Sequence, residues 1–183
     1  MAEVIEFDPV DTISAGAFGR PGARTFVIQA RKGSARLSVL VEKEQVALLA
    51  AEARQFLDRI DEEDPEPGGA EPVPGGPVEE DEPLFRARLI GLGYDPQRRL
   101  VLIELREAAA SGDDDDEEAA PPPARGGEEA PGGAGRVARL FATRAQVRAM
   151  AAHGAAAVAA GRPRCPLCEF PMDPDGHACP RWN

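Results

Sequence analysis

LVEKEQVALL, Leu40 to Leu49, and FATRAQVRAM, Phe141 to Met150, align at a constant offset of 101 residues, and reading them decides the fold. Each opens in a strand pattern and closes in a helical one, with Gln-Val in the first helical turn and Leu49 opposite Met150. Just before and within the first copy, Leu37, Val39 and Val41 recur at every second residue, as expected when one face of a strand is buried. From Val46 the period changes. Val46, Leu49, Ala53, Phe56 and Ile60 recur at three and four residues and form one stripe of a helix from about Lys43 to Asp61. The second copy reads as a strand, Arg136 to Ala142, and a helix from a Thr143 cap to about Ala160, closed by Gly161. Either an internal repeat of β-hairpin and helix, or two junctions shaped by the same capping demand, explains the match.

Upstream of the first copy, Thr25 to Ala30 (TFVIQA) is a β-former run, joined to Leu37–Val41 through the Lys32-Gly33-Ser34 turn. A short apolar piece, Val4 to Phe7, precedes a glycine-rich stretch, SAGAFGRPGAR (Ser14 to Arg24), which reads as a loop. Between the copies, Arg86 to Tyr94 and Arg98 to Arg106 form a second hairpin about Asp95-Pro96-Gln97, where proline pre-sets a turn angle. Residues 1–161 are therefore expected to be one α+β domain: an antiparallel sheet of five or six strands with two helices on one face.

The net charge of −11 is unevenly placed. Residues 61–82 hold ten acidic side chains and no basic one, and residues 112–129 hold eight against Arg125 alone, which leaves the rest of the chain at +6. Segments 62–83 and 111–135 are so rich in Pro, Gly and like charge that they bury too little apolar surface to offset ordering, and they read as disordered acidic loops. The overall acidity reads against nucleic acid as partner, but it lies in these segments and the remainder is mildly basic, so nucleic-acid binding is kept only as a third and weaker reading. No apolar stretch is long enough for a membrane span and no secretory signal opens the chain, so a cytoplasmic protein is expected.

All three cysteines fall in the last nineteen residues, CPLCEFPMDPDGHACPRWN, with the spacing C-x2-C-x8-H-x-C. Cys165 and Cys168 can meet one ion from a tight turn, and Asp173-Pro174-Asp175-Gly176 is a turn signal that would return His177 and Cys179 to face them. Three thiolates and an imidazole suit tetrahedral zinc, and four protein ligands leave no position for water or substrate, so the metal is expected to be structural. A redox Cys-x-x-Cys and unliganded thiols are the competing readings. Residues 162–183 then form a zinc-binding tail too small to fold without metal. Phe170, Met172 and Trp182 would pack around the ion or dock it on the helix ending at Gly161.

Gly19, Arg20, Gly22 and Arg24 offer backbone N–H groups and guanidiniums to an anion, though they match neither the P-loop nor the dinucleotide fingerprint, which lead into a helix. An ordinary connection is the plainer reading. His153 lies beside the apolar stripe of the second helix and reads as a surface residue. No catalytic constellation is visible.

AFGRPGARTFVIQAR (Ala17 to Arg31), LVEKEQVALLAAEA (Leu40 to Ala53) and the tail from Cys165 to Asn183 resemble the uncharacterised actinobacterial family DUF3090. The resemblance implies a bacterial cytoplasmic protein and supplies no catalytic residue to carry over. The function expected is therefore a non-enzymatic binding or accessory protein with an unidentified protein partner. The alternative is an enzyme or ligand-binding domain that holds a phosphorylated or carboxylated metabolite on the Gly/Arg stretch.

Overall fold

The computed structural model describes residues 3–65, 76–107, 135–162, 164–172 and 176–182. In chain order the elements are β1 (Val4–Phe7), β2 (Thr12–Arg20), β3 (Ala23–Lys32), β4 (Ala35–Val41), α1 (Lys43–Glu63), β5 (Phe85–Asp95), β6 (Leu100–Glu107), β7 (Val137–Ala142) and α2 (Arg144–Ala159). The α+β class holds, but the sheet has seven strands in the order β1-β7-β6-β5-β4-β3-β2 and is mixed. β1 runs parallel to β7 and β5 parallel to β4. The expectation of five or six antiparallel strands fails because α1 carries the chain back to start β5 in the direction of β4, as helical crossovers do. The lone piece Val4–Phe7 gave no local sign that it pairs with β7, more than 130 residues away.

Asp8 to Asp11 alone separate β1 from β2, which stand at opposite ends of the strand order. Laid flat at about 4.8 Å per neighbour, those ends would lie about 29 Å apart. The chain from Phe7 to Thr12 reaches at most about 18 Å. The sheet therefore curls until its ends meet: the Val10 N–H donates to the Phe141 carbonyl on β7 at 2.8 Å, and the Asp11 N–H donates to the Arg31 carbonyl next to β2, on β3, also at 2.8 Å. β1 and β2 thus act as two parts of one bent strand that bridges β7 and β3.

That closure exposes the repeat. Ala15–Ile28–Val39 pair across β2, β3 and β4 as Leu92–Ile103–Leu140 pair across β5, β6 and β7. Phe7 faces Leu140 as Phe85 faces Val39. Both helices begin with a capping box, Glu42 with Gln45 and Thr143 with Gln146. Each glutamine also donates to two consecutive carbonyls of the equivalent strand: Gln45 to Ala87 and Arg88, Gln146 to Val10 and Asp11. A shared capping demand accounts for the boxes; it does not account for matched strand registers and matched carbonyls. Each half is three strands and a helix, one strand more than the hairpin-helix unit read from sequence.

The inward sheet face, with Ile13, Ile28, Val39, Phe85, Ile103 and Leu140, joins Val46, Leu49, Leu57, Val147 and Met150 of the helices in one core. The stretch Ser14–Arg24, expected as a loop, is mostly β2, with a tight turn into β3. Its small residues disguise a regular alternation: Ile13 and Ala15 bury inward, while Gly16 on the opposite face admits the Val78 side chain, which a Cβ there would meet at 3.1 Å. Only Gly19 (φ 95°) and Gly22 (φ 93°) use glycine's left-handed freedom.

Of the expected disordered segment 62–83, Glu62 and Glu63 end α1, and residues 76–83 lie along the sheet. The Gly76 carbonyl accepts from Ser14 Oγ at 2.5 Å, and Glu79 is paired with Arg31 and Arg36. Residues 66–75 and most of 111–135 lie outside the described residues.

Candidate metal centre and neighbouring basic cleft

After α2 the chain makes a compact knuckle. Cys165 N–H donates to the Phe170 carbonyl and Glu169 N–H to the Cys165 carbonyl, both at 2.9 Å, and Arg164 and Pro171 form a bridge across its base. Glu169 takes a left-handed conformation (φ 63°) that turns the strand back. This places Cys165 and Cys168 side by side, and the returning chain brings up His177 and Cys179. The four ligand atoms all lie within 4.8 Å of one another. Cys165 Sγ is 3.8 Å from Cys179 Sγ, and Cys168 Sγ is 3.2 Å from His177 Nε2. An ion bonded tetrahedrally to sulfur at about 2.3 Å holds two thiolates about 3.8 Å apart, so the donor set and spacing fit a tetrahedral metal. Of the turn expected at 173–176, Asp173 to Asp175 lie outside the described residues, and Gly176 has φ 94°.

The electrostatics at the cysteines differ. Backbone N–H groups of Cys168 and Leu167 pull the Cys165 thiol below its usual range, the latter at 3.4 Å from the sulfur, whereas burial pushes the Cys168 thiol up. Of the three side chains expected to cover the cluster, Phe170 and Trp182 stand mostly open to water, 59% and 80% exposed, and Met172 is half-buried.

The knuckle forms one wall of a cleft of about 650 Å³. Its other walls are the β2–β3 turn, the start of α1 and the residues just after α2. Among the described residues it is lined by Arg24, Lys43, Arg86, Arg162 and Arg164 against one acid, Glu42, which is paired with Arg86. Of the four anion candidates from sequence, Gly22 and Arg24 line this cleft, whereas Gly19 and Arg20 lie back along the hairpin. Arg24 Nη1 also donates to the Ala157 carbonyl near the end of α2 at 3.2 Å. His153 is exposed on α2.

A third cluster escaped the sequence reading. Arg144, at the start of α2, is 1% exposed. It donates to Asp61 Oδ1 (3.1 Å), the Asp64 carbonyl (2.6 Å) and Asp64 Oδ2 (2.8 Å), and contacts the Tyr94 hydroxyl. Asp64 also accepts from Tyr94 at 2.7 Å and from Arg99 at 2.8 Å. The Tyr94 hydroxyl, then the guanidiniums of Arg99 and Arg144, hold the Asp64 carboxyl below the usual range. Burial and the Asp64 bond push Tyr94 up. The only sequence signal was an arginine in the first turn of an alanine-rich helix.

A family model described as protein of unknown function, DUF3090, matches residues 5–179. The chain belongs to the DUF3090 family. The match runs from β1 to the last cysteine of the cluster, so the family takes in both halves of the repeat and the four-donor knuckle. No curated protein and no solved structure matches the chain. Among the described residues, no helix is long and apolar enough to cross a membrane.

Proposed function

We propose that this DUF3090 protein is a non-enzymatic binding protein whose Cys165, Cys168, His177 and Cys179 hold a structural zinc ion, and whose zinc knuckle offers an apolar surface to a protein partner. One observation carries the reading: the small unit that holds a closed four-donor set also exposes Leu167 (45%), Phe170 (59%) and Trp182 (80%), three of the seven large apolar side chains that stand exposed among the described residues. Thiolates and imidazole favour zinc over the hard cations, and four protein ligands leave no site for a reacting water. The ion supplies the cross-links that so short a segment needs in place of a core, and exposed apolar groups held on a rigid turn are suited to burial against another protein.

Protein purified without added metal should carry about one zinc per chain by elemental analysis, and Cys168→Ser should abolish it. Phe170→Ala with Trp182→Ala should keep the zinc and lose whatever protein the wild type retains from native lysate. A metal-free wild type would end the proposal.

The basic cleft favours a second reading, in which the bound species is a carboxylated or phosphorylated metabolite. Its support is the excess of cations over acids around a concave space of ligand size.

A further inference from the structure

The internal repeat gives the basic cleft a counterpart whose chemistry is already filled. Lys43 and Arg144 each directly follow the N-cap of their helix. Arg24 and Arg99 each stand two residues before the strand position, Phe26 or Val101, that pairs with the last residue of the next strand, Val41 or Ala142. By the same offset of 101, Asp61 falls opposite Arg162 and Asp64 opposite Cys165 in sequence alone, since α1 runs to Glu63 and α2 ends at Ala159; by register Tyr94 corresponds to Ala17.

In the second half the Asp64 carboxylate sits between Arg144 and Arg99, 2.8 Å from each, with the Tyr94 hydroxyl at 2.7 Å. In the first half the matching cations are present, and among the described residues no carboxylate stands at the position matching Asp64. Cys165 belongs to the four-donor cluster, a cation falls opposite Asp61 in sequence, and Ala17 offers no hydroxyl where the other half has that of Tyr94. Lys43 and Arg24 line the resulting cleft, and its one described acid is engaged by Arg86.

We propose that the cleft binds a small metabolite bearing a carboxylate, and that this carboxylate lies between Lys43 and Arg24 as the Asp64 carboxylate lies between Arg144 and Arg99. Like charges brought together beside a half-buried wall repel, and an anion seated between them reverses the sign of that interaction. The remainder of the ligand lies against Thr25, Phe26, Leu40, Val41 and Pro83, a wall that is more apolar than charged. The zinc knuckle contributes Arg164 and Pro171 to the opposite side, so ligand and clasp share a boundary. This inference rests on the metabolite reading and is independent of any partner at Trp182.

The test is titration of the full-length, metal-loaded protein with citrate at low ionic strength, followed by amide chemical shifts. Shifts at Gly22, Arg24, Thr25 and Lys43 are expected. They should weaken at least tenfold in Arg24→Gln and in Lys43→Gln, and be unchanged in Arg36→Gln, which removes a charge elsewhere. Arg162→Asp replaces a cation of the cleft wall by an acid and should abolish the shifts while the rest of the spectrum keeps its dispersion. If citrate moves no amide of the cleft, the metabolite reading itself fails. If citrate enters the cleft but Arg24→Gln, Lys43→Gln and Arg162→Asp bind it as the wild type does, the metabolite reading survives and this seat is wrong. Inorganic phosphate that binds more tightly through the same residues would overturn the carboxylate assignment.

Discussion

The two halves of the barrel share a plan and differ in how they finish it. In the second half the start of the helix is neutralised from within, by Asp61 and Asp64 at the end of α1, and α2 lies close on β2 through small residues. Gly154 marks the contact, since a Cβ there would meet Val46 at 3.0 Å and Ala15 at 3.4 Å. In the first half the start of the helix faces a cleft of cations, and α1 is held off β5 by larger side chains, Leu48, Phe56 and Leu92 standing where the other half has Ala149, Ala157 and Ala15. One half of the repeat thus carries the permanent contacts and the other keeps its concave surfaces open. The same backbone plan serves stability on one side and leaves room for binding on the other.

The largest test of this difference is at the paired cations. Arg144→Ala should cost about 3 kcal/mol in urea unfolding, the low end for breaking a buried ion pair because Asp61 and Asp64 are partly open to water. Lys43→Ala, at the equivalent position, should stay within about 0.5 kcal/mol. Equal costs would show that the halves are not divided as described. Acid should act on the same half: the pKa of Asp64 is lowered, so the stability it gives is fully present above the unfolded value of about 4 and is lost as pH falls through the lower folded value. Unfolding measured from pH 5 downward should fall less steeply in Asp64→Asn.

A smaller effect is expected at the helix contacts. Gly154→Val should destabilise by about 2 kcal/mol, since Val46 and Ala15 cannot both withdraw. Leu48→Ala should change thermal stability little, because Leu48 is 62% exposed.

The smallest of the expected losses tests what the halves have in common. Gln45→Ala and Gln146→Ala should each cost about 1 kcal/mol, the scale of a capping interaction. Costs that differ by more than about 1 kcal/mol would mean that the matched bonds to Ala87 and Arg88, and to Val10 and Asp11, are not equivalent.

Both helices were legible because amphipathic spacing is local: Val46, Leu49, Ala53 and Ile60 are buried as the stripe required, whereas Phe56 is half-buried and its neighbour Leu57 fills the core instead. The gathering of Cys165, Cys168, His177 and Cys179 was legible because a Cys-x-x-Cys turn and a returning His-x-Cys place donors by chain geometry over a few residues. The strand β2 was not. Its glycines and alanines carry almost no β signal, and what makes it a strand is pairing with β3 and cover from Val78 and α2. The cleft was half visible: Gly22 and Arg24 were singled out, but Lys43, Arg86 and the pair Arg162 and Arg164 come from three other places in the chain.

By itself the sequence determined the α+β class, the helix spans, the four-donor knuckle and the repeated strand-to-helix passage, since each depends on contacts within a few turns or a single tight loop. Tertiary structure alone decided that the sheet is mixed and closes through Val10 and Asp11, that Arg144 is buried among carboxylates, and that its counterpart Lys43 faces an open cleft. Those outcomes depend on which distant segments share an edge or a corner, and no local periodicity records that.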